Sequence, residues 1–484
     1  MPTFIPAPKK FTVTDTQKHE VPFAIYTEEK AWELYARTFI ETFSKGYYKE
    51  LNFNEKGGIE LYRDDTLAAD AYRIDTEGAL KIHASSDEGI NYGLATALQI
   101  LDVKDDRICL EAMQIEDHPD KDFRALMVDL SSEWHPFGKV LKFVDVCFYY
   151  KIKYLQLHFA DTKLYTLPSK AFPKLPSEGK HYTLEQIEEL REYAKARGIV
   201  LIPEFECPGH APRLNECYPE VFGDLGTGEG ALFYNEAGDV IDNKSLLCAT
   251  RESAVEGVKT LLREMAEMFP DSPYLHIGGD EANIALWDQC SSCTEYMKMN
   301  NISDVYELYS DYVGRITSFV LSLGRTPIVW EGFPKKGSER IPKETIVIAW
   351  ECHYQMPADL LESGFKIINA AWKPLYIVPG MAFHPTINWQ AKDILDWNVY
   401  NWQHWWPKSE ARLNLITVPD TDQLIGSMLC SWGMTFEQEI STVMSNLGAM
   451  SERVWTTRRT RTFEEFGSGF RKLYDLLGRI VQDV

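Results

Sequence analysis

Residues 183–205 read TLEQIEELREYAKARGIVLIPEF. Thr183 and Gln186 have the spacing of a capping box, in which a hydroxyl and a side-chain amide satisfy the first free backbone groups of a helix. Ile187, Leu190 and Tyr193 then repeat at helical period and predict one apolar stripe. Gly198 can end that helix, and the apolar run 199–205 directly after it predicts a strand buried on both faces. Helix, glycine stop and buried strand together make one unit of a layered α/β structure.

The same alternation extends in both directions. Short apolar runs lie at 124–130, 153–159, 199–205, 274–279, 326–331, 345–350, 366–370 and 425–432, with helical segments between them. Eight such runs predict a (β/α)8 TIM barrel, and a doubly wound open sheet is the competing architecture. Upstream, residues 1–117 read as a small α+β domain. A helix is expected from about Glu28, burying Ala31, Leu34, Tyr35, Phe39 and Phe43. Ala71–Ile74 and Ala79–Ile82 flank Thr76-Glu77-Gly78 as a hairpin. A second helix is expected near Asp87, burying Ile90, Leu94, Ala97, Leu98 and Leu101. The polar string 117–121, with Pro119, breaks the pattern and places the boundary, leaving 118–484 for the barrel and C-terminal helices.

Composition narrows the function classes. The 484 residues carry 50 Lys and Arg against 72 Asp and Glu, a net charge of −22. That balance opposes a nucleic-acid partner, because phosphate neutralisation needs a basic surface. No stretch reaches the roughly 18 apolar residues of a membrane span, and the N-terminus lacks an uninterrupted apolar signal region. The nine scattered cysteines are too sparse for a disulfide scaffold, so a reduced, cytoplasmic setting is expected. The oligomeric state stays open.

Polar residues gather at the ends of the predicted strands, where barrels of this kind build their sites. They are Asp129, His158 with Asp161, Glu204 and Glu206 with His210, Asp280 with Glu281, Trp330 with Glu331, Trp350 with Glu351, and Trp432. The sharpest string is His276-Ile277-Gly278-Gly279-Asp280-Glu281. Adjacent residues at a strand end point in different directions, so two acids there can address two atoms of one substrate. Neighbouring carboxyls can also raise one pKa and keep a proton available for general-acid work. The His and acid residues could alternatively ligate a metal, but hydrogen bonding to a carbohydrate accounts for them without one, and no metal or cofactor is expected. Cys290-x-x-Cys293 has no second CxxC and is expected to pack a loop rather than bind zinc.

These motifs resemble glycoside hydrolase family 20, the β-N-acetylhexosaminidases, whose hallmark is the His-x-Gly-Gly-Asp-Glu string. Ile202-Pro203-Glu204-Phe205-Glu206-Cys207-Pro208-Gly209-His210 resembles the family's Pro-Glu-x-Asp-x-Pro-Gly-His segment, and His158-Phe159-Ala160-Asp161 its His-x-x-Asp. The 93–99 stretch resembles the small domain that precedes the family's barrel. The resemblance implies removal of terminal β-linked GlcNAc or GalNAc from small oligosaccharides or glycoconjugates by substrate-assisted retention, through an oxazoline intermediate. It makes Glu281 the general acid and base, and Asp280 the group that orients the 2-acetamido substituent. It assigns Tyr376 to the acetamido carbonyl, and Trp330, Trp350 and Trp432 to the pocket walls. His158, Asp161, Glu206 and His210 complete the substrate-binding set, Asp161 and His210 as a pair that steadies the acid. Ten of the thirteen tryptophans fall between 330 and 455. Trp372, Trp389, Trp397, Trp402, Trp405 and Trp406 are either packing or a platform for the leaving sugar.

Departures from the family pattern are equally specific. The family places Arg three residues after the strand-one Asp to hold the sugar's 3- and 4-hydroxyls, and here Ser132 stands there. Arg124, at the start of that strand, reads as structural. Glu206 replaces a common Asp, and Val378 and Met434 replace polar residues that meet the 4- and 6-hydroxyls. Glu133 and His135 are candidate replacement contacts. The alternative from another class is a non-catalytic glycan-binding or regulatory protein on the same fold.

Overall fold

A computed structural model describes residues 3–482 apart from 224–232, 235–239, 242–245, 382–383 and 385–386. Eight parallel strands close into a barrel: Phe123–Asp129, Tyr154–His158, Val200–Glu204, Tyr274–His276, Thr326–Trp330, Ile346–Ala349, Lys366–Asn369 and Leu424–Ser431. They are called strands one to eight below. Strand eight closes the ring by pairing with strand seven on one side and strand one on the other. Every residue of strand one is buried, as is every residue of strand two, because side chains fill the barrel inside and helices cover it outside. This is why the runs show no period-two alternation.

The helix between strands two and three spans Leu184–Lys195. Thr183 and Gln186 form the reciprocal capping box, and Ile187, Leu190 and Ala194 are buried. Tyr193 is only half-buried, because its hydroxyl donates to Asp145 at 2.8 Å at the rim of the stripe.

The small domain is a mixed sheet carrying helices Glu33–Tyr47 and Asp87–Ile100. Ile74 pairs with Ile82 across the expected hairpin. The first helix begins later than its periodicity suggests. Lys30–Trp32 is a separate 3-10 turn, and Trp32, whose indole donates to Asp87, takes the buried place expected of Ala31 and Leu34, which are exposed. In the second helix Gly89–Ile100 are all buried, since it lies between its own sheet and the barrel. Gln99 donates to the Tyr149 carbonyl of the barrel helix Phe137–Tyr149 at 2.9 Å. Arg479 of the C-terminal helix Phe463–Val481 donates to the Gly46 carbonyl at 2.6 Å.

The 117–121 string is the seam between these parts. Asp117 accepts from Tyr72 at 2.6 Å and from the Trp455 indole at 2.9 Å, and it pairs with the buried Lys151 ammonium at 3.1 Å. Burial pushes the Lys151 ammonium below the usual lysine range even against the pull of Asp117. Arg124, fully buried, donates to the carbonyls of Lys151, Lys121 and Asp122 and to the Tyr92 hydroxyl. It belongs to this end of the barrel, opposite the strand ends that carry the polar cluster.

Candidate active site

Strand four ends early, and the chain leaves it through Gly278 and Gly279, both at positive φ. A Cβ on Gly278 would fall 1.8 Å from Oε2 of Glu206, so the glycine is the space that this carboxyl fills. The backbone is gripped from the other side, where a Cβ on Gly332 would lie 2.3 Å from the Gly279 carbonyl oxygen. The Tyr309 hydroxyl donates to that same oxygen at 2.5 Å. His276 accepts the Gly278 amide at Nδ1 (2.9 Å), which requires a neutral ring, and burial draws its pKa down to about 4. The two acids therefore diverge. Asp280 is buried with Oδ1 unmatched by any partner among the described residues, while the Glu281 side chain is 51% exposed at the mouth.

A line of alternating charges runs from the barrel interior to Glu281. Glu204 accepts from the Gln156 amide at 2.7 Å and from the Trp330 indole at 2.5 Å, and it lies 3.1 Å from His158 Nδ1. His158 Nε2 faces Asp161 at 3.4 Å, Asp161 meets His210 Nδ1 at 3.0 Å, and His210 Nε2 reaches Glu281 at 3.4 Å. Burial opposes charge at every one of these sites, and the neighbours outweigh it. His158 and His210 are held well above the usual imidazole range, and Asp161 and Glu204 below the usual carboxylate range.

Asp280 and Glu206 go the other way. Burial, with Glu281 and Glu204 nearby, pushes Asp280 up to about 7 despite His210, and burial beside Asp280 and Glu204 pushes Glu206 well up. Burial thus favours the protonated form of these two carboxyls, while the imidazoles favour the ionised form of Asp161 and Glu204 beside them. His158, Glu204 and Glu206 have donor atoms close enough for a metal ion, as do His210, Asp280 and Glu281. Within these groups His158 Nδ1 faces Glu204 at 3.1 Å and His210 Nε2 faces Glu281 at 3.4 Å.

Aromatic rings form the walls. Tyr376 stacks between Trp350 and Trp372, with centroids 5.8 and 4.7 Å away. Trp330 lies 6.1 Å from both Trp350 and Trp432, and Trp432 meets the His158 ring edge at 4.9 Å. Of the six further tryptophans, Trp372 and Trp405 extend this wall, 5.6 Å apart. Trp389 braces it by donating to the Tyr376 carbonyl at 2.8 Å. Trp397 and Trp402 are packing, their indoles spent on the carbonyls of Asn401 and Ala349. Trp406 stands at the rim against His353.

Two strand-end candidates turn out to hold backbone instead. Asp129 accepts from the amides of Ser131, Ser132 and Gly433, and Glu331 takes five amides from residues 350 and 352–355. His135 is not a replacement sugar contact. It is fully buried, hydrogen-bonded to Glu439 and packed on Phe143 and Phe436. Glu133 is half-buried on the same loop.

Compared with known proteins, residues 122–458 match the description "Glycosyl hydrolase family 20, catalytic domain", and residues 1–118 match the same family's "domain 2". The chain belongs to glycosyl hydrolase family 20. A β-hexosaminidase of Akkermansia muciniphila is 32% identical over 337 residues, which cover 64% of this chain and 65% of that protein. The mouse β-hexosaminidase subunit alpha is 26% identical over 387 residues, covering 72% of this chain and 63% of its own length. The matched stretches thus span about two thirds of these curated relatives. Among solved structures, the exo β-N-acetylglucosaminidase of Vibrio harveyi in complex with N-acetylglucosamine superposes with a TM-score of 0.80 at 20% identity, covering 98% of this chain and 77% of that one. The β-N-acetylhexosaminidase of Bacteroides fragilis gives 0.79 at 20%, covering 99% and 96%.

Against the family 20 pattern, the His158, Asp161, Glu206, His210, Trp330, Trp350, Tyr376 and Trp432 side chains surround the Asp280–Glu281 pair. Glu351 and His404 join them and were not assigned a role from sequence. Burial beside Glu281 pushes Glu351 up to about 8, and its Oε1 lies 3.2 Å from Nε2 of His404. The signal for Glu351 was its place at the end of strand six, whereas His404 comes from a loop with no motif. Val378 and Met434 line a cavity of about 510 Å³ beside the ends of strands seven and eight.

Proposed function

We propose that this chain is an exo-acting β-N-acetylhexosaminidase working by substrate-assisted retention. The reading rests above all on the contrast between two adjacent acids. Asp280 is buried with its carboxyl pushed up to about 7, and Glu281 is exposed on the far end of an imidazole relay. In this scheme the 2-acetamido carbonyl oxygen attacks the anomeric carbon while Glu281 protonates the departing glycosidic oxygen. Asp280 holds the acetamido N–H and balances the positive charge that develops there, and the Tyr376 hydroxyl faces the carbonyl oxygen. Glu281 then takes a proton from water, whose attack restores the original anomeric configuration. The indoles around Tyr376 give the flat apolar surface that an acetyl methyl and a sugar face require.

Recognition of the remote hydroxyls is rebuilt. Lys163, on the loop after strand two, brings its ammonium 3.4 Å from the carbonyl of Ser132, where the family usually has arginine. We assign it to the sugar's hydroxyl edge. Lys163→Met should raise KM about tenfold with little change in kcat, the cost of one charge-assisted hydrogen bond. The nine unpaired cysteines support a reduced, cytoplasmic setting.

The deciding experiment is hydrolysis of chromogenic β-GlcNAc and β-GalNAc by the purified chain, with a thiazoline mimic of the oxazoline as inhibitor. Turnover blocked by the mimic is expected, and Glu281→Gln should slow substrates with poor leaving groups about 100- to 10,000-fold. Glycan binding without turnover would overturn the reading in favour of a carbohydrate-binding protein, and turnover insensitive to the mimic would remove the substrate-assisted step.

A further inference from the structure

Behind the general acid lies a second cluster that the hydrolase scheme does not use. Cys248, Cys290 and Cys293 are all buried, and their sulfur atoms converge. Cys248 Sγ is 3.7 Å from Cys290 Sγ and 3.7 Å from Cys293 Sγ. Zinc–thiolate bonds of about 2.3 Å in a tetrahedral site hold sulfurs about 3.8 Å apart, so the cluster already has the spacing of a filled site. Neither Cys290 nor Cys293 is favoured as a disulfide partner for Cys248, and pairing either would strand the third thiol in the interior.

The surroundings suit thiolates. Thr250 Oγ1 donates to Cys293 Sγ at 3.5 Å and lies 3.8 Å from Cys248 Sγ, which puts a hydroxyl beside two of the three sulfurs. That hydroxyl is kept in place by Ser292 Oγ at 2.9 Å. Cys290 caps the helix Ser291–Met299, and Cys293 sits in its first turn, so both sulfurs meet the positive end of the helix dipole.

We propose that Cys248, Cys290 and Cys293 bind one thiophilic divalent cation, zinc by preference, as a structural site. The cation displaces the protons of the three thiols, and water or the Thr250 hydroxyl completes the coordination. The site ties two segments that frame the acid pair. Leu247, next to Cys248, donates its amide to the Pro208 carbonyl at 2.8 Å and accepts the Trp287 indole at 2.9 Å. Trp287 lies on the turn Ile284–Gln289, between Glu281 and Cys290. A cation here would fasten the loop that carries Glu281 to the one that precedes helix Glu252–Met268.

The test uses the full chain, purified without chelators, and does not depend on its catalytic activity. Elemental analysis should find one zinc per chain, released when a mercurial titrates the thiols. Exchange into cobalt(II) should give intense sulfur-to-cobalt charge-transfer absorption in the near ultraviolet. Cys248→Ser, Cys290→Ser and Cys293→Ser should each weaken or abolish this signal, while Cys217→Ser, a half-buried cysteine outside the cluster, keeps it. Should the three variants not fold, the cobalt spectrum of the unaltered chain decides. A chain that retains no zinc or cobalt after incubation and gel filtration, one that binds cobalt without the charge-transfer band, or one whose mass shows a Cys248 disulfide, overturns the proposal.

Discussion

Asp280 illustrates how a site residue costs stability. Its carboxyl titrates near 7 when folded, against an ordinary value of 3.8. Between those values the folded chain binds more protons than the unfolded one, so stability is full below the lower value and is lost as pH rises through the upper. Asp280→Asn keeps the shape and removes the titration. At pH 8 the variant should be more stable than its parent, by at most about 4 kcal/mol, and chemical denaturation curves of the two should converge below pH 4. The same variant should lose most of its turnover, so that stability and activity move in opposite directions. Gly278 makes a complementary point about space. Gly278→Ala would put a methyl into the Glu206 carboxyl and strain a left-handed backbone, costing about 1–3 kcal/mol. Because the acid pair follows directly, kcat should fall on the order of a hundredfold while the far-ultraviolet spectrum stays unchanged.

The elements are where the sequence speaks most clearly. All eight apolar runs become strands because burial on both faces demands uninterrupted apolar residues, a pattern that survives without any tertiary information. Strand-end position, by contrast, marks catalytic and structural carboxylates alike. Glu331 and Asp129 occupy the same kind of place as Asp280, yet they point at amides, and side-chain direction is not written in spacing. His135 escapes sequence reading for a related reason. Its partner Glu439 lies on the helix Phe436–Trp455, far along the chain, and only the closed barrel brings them together. The cysteine cluster is hidden in the same way, since Cys248 sits on a different loop from the CxxC. Glu331 gives the loop after strand six its form, so Glu331→Ala should cost about 3–5 kcal/mol by leaving buried amides unmet. With the Trp350 wall loosened, KM should rise more than kcat falls, which steady-state kinetics would show.

At the scale of the molecule, the two domains share one interior. The Asp117–Lys151 pair, with Tyr72 and Trp455 around it, joins the last strand of the small domain to the barrel and to the helix that closes it. Removing one member of a buried pair strands the other charge, so Lys151→Met should cost about 3–5 kcal/mol, measured as a lower urea midpoint. Both domains should still unfold in one step, because the seam is part of each core. The net charge of −22 is carried largely outside these interiors and suits a neutral sugar better than a sulfated one. The seam also bears on how the protein can be handled. A gene trimmed to begin at residue 118 would deliver a barrel whose Lys151, Trp455 and Arg124 face water at its base, and such a product should collect in inclusion bodies; the small domain is the floor on which the barrel is laid, and the two have to be made as a single piece.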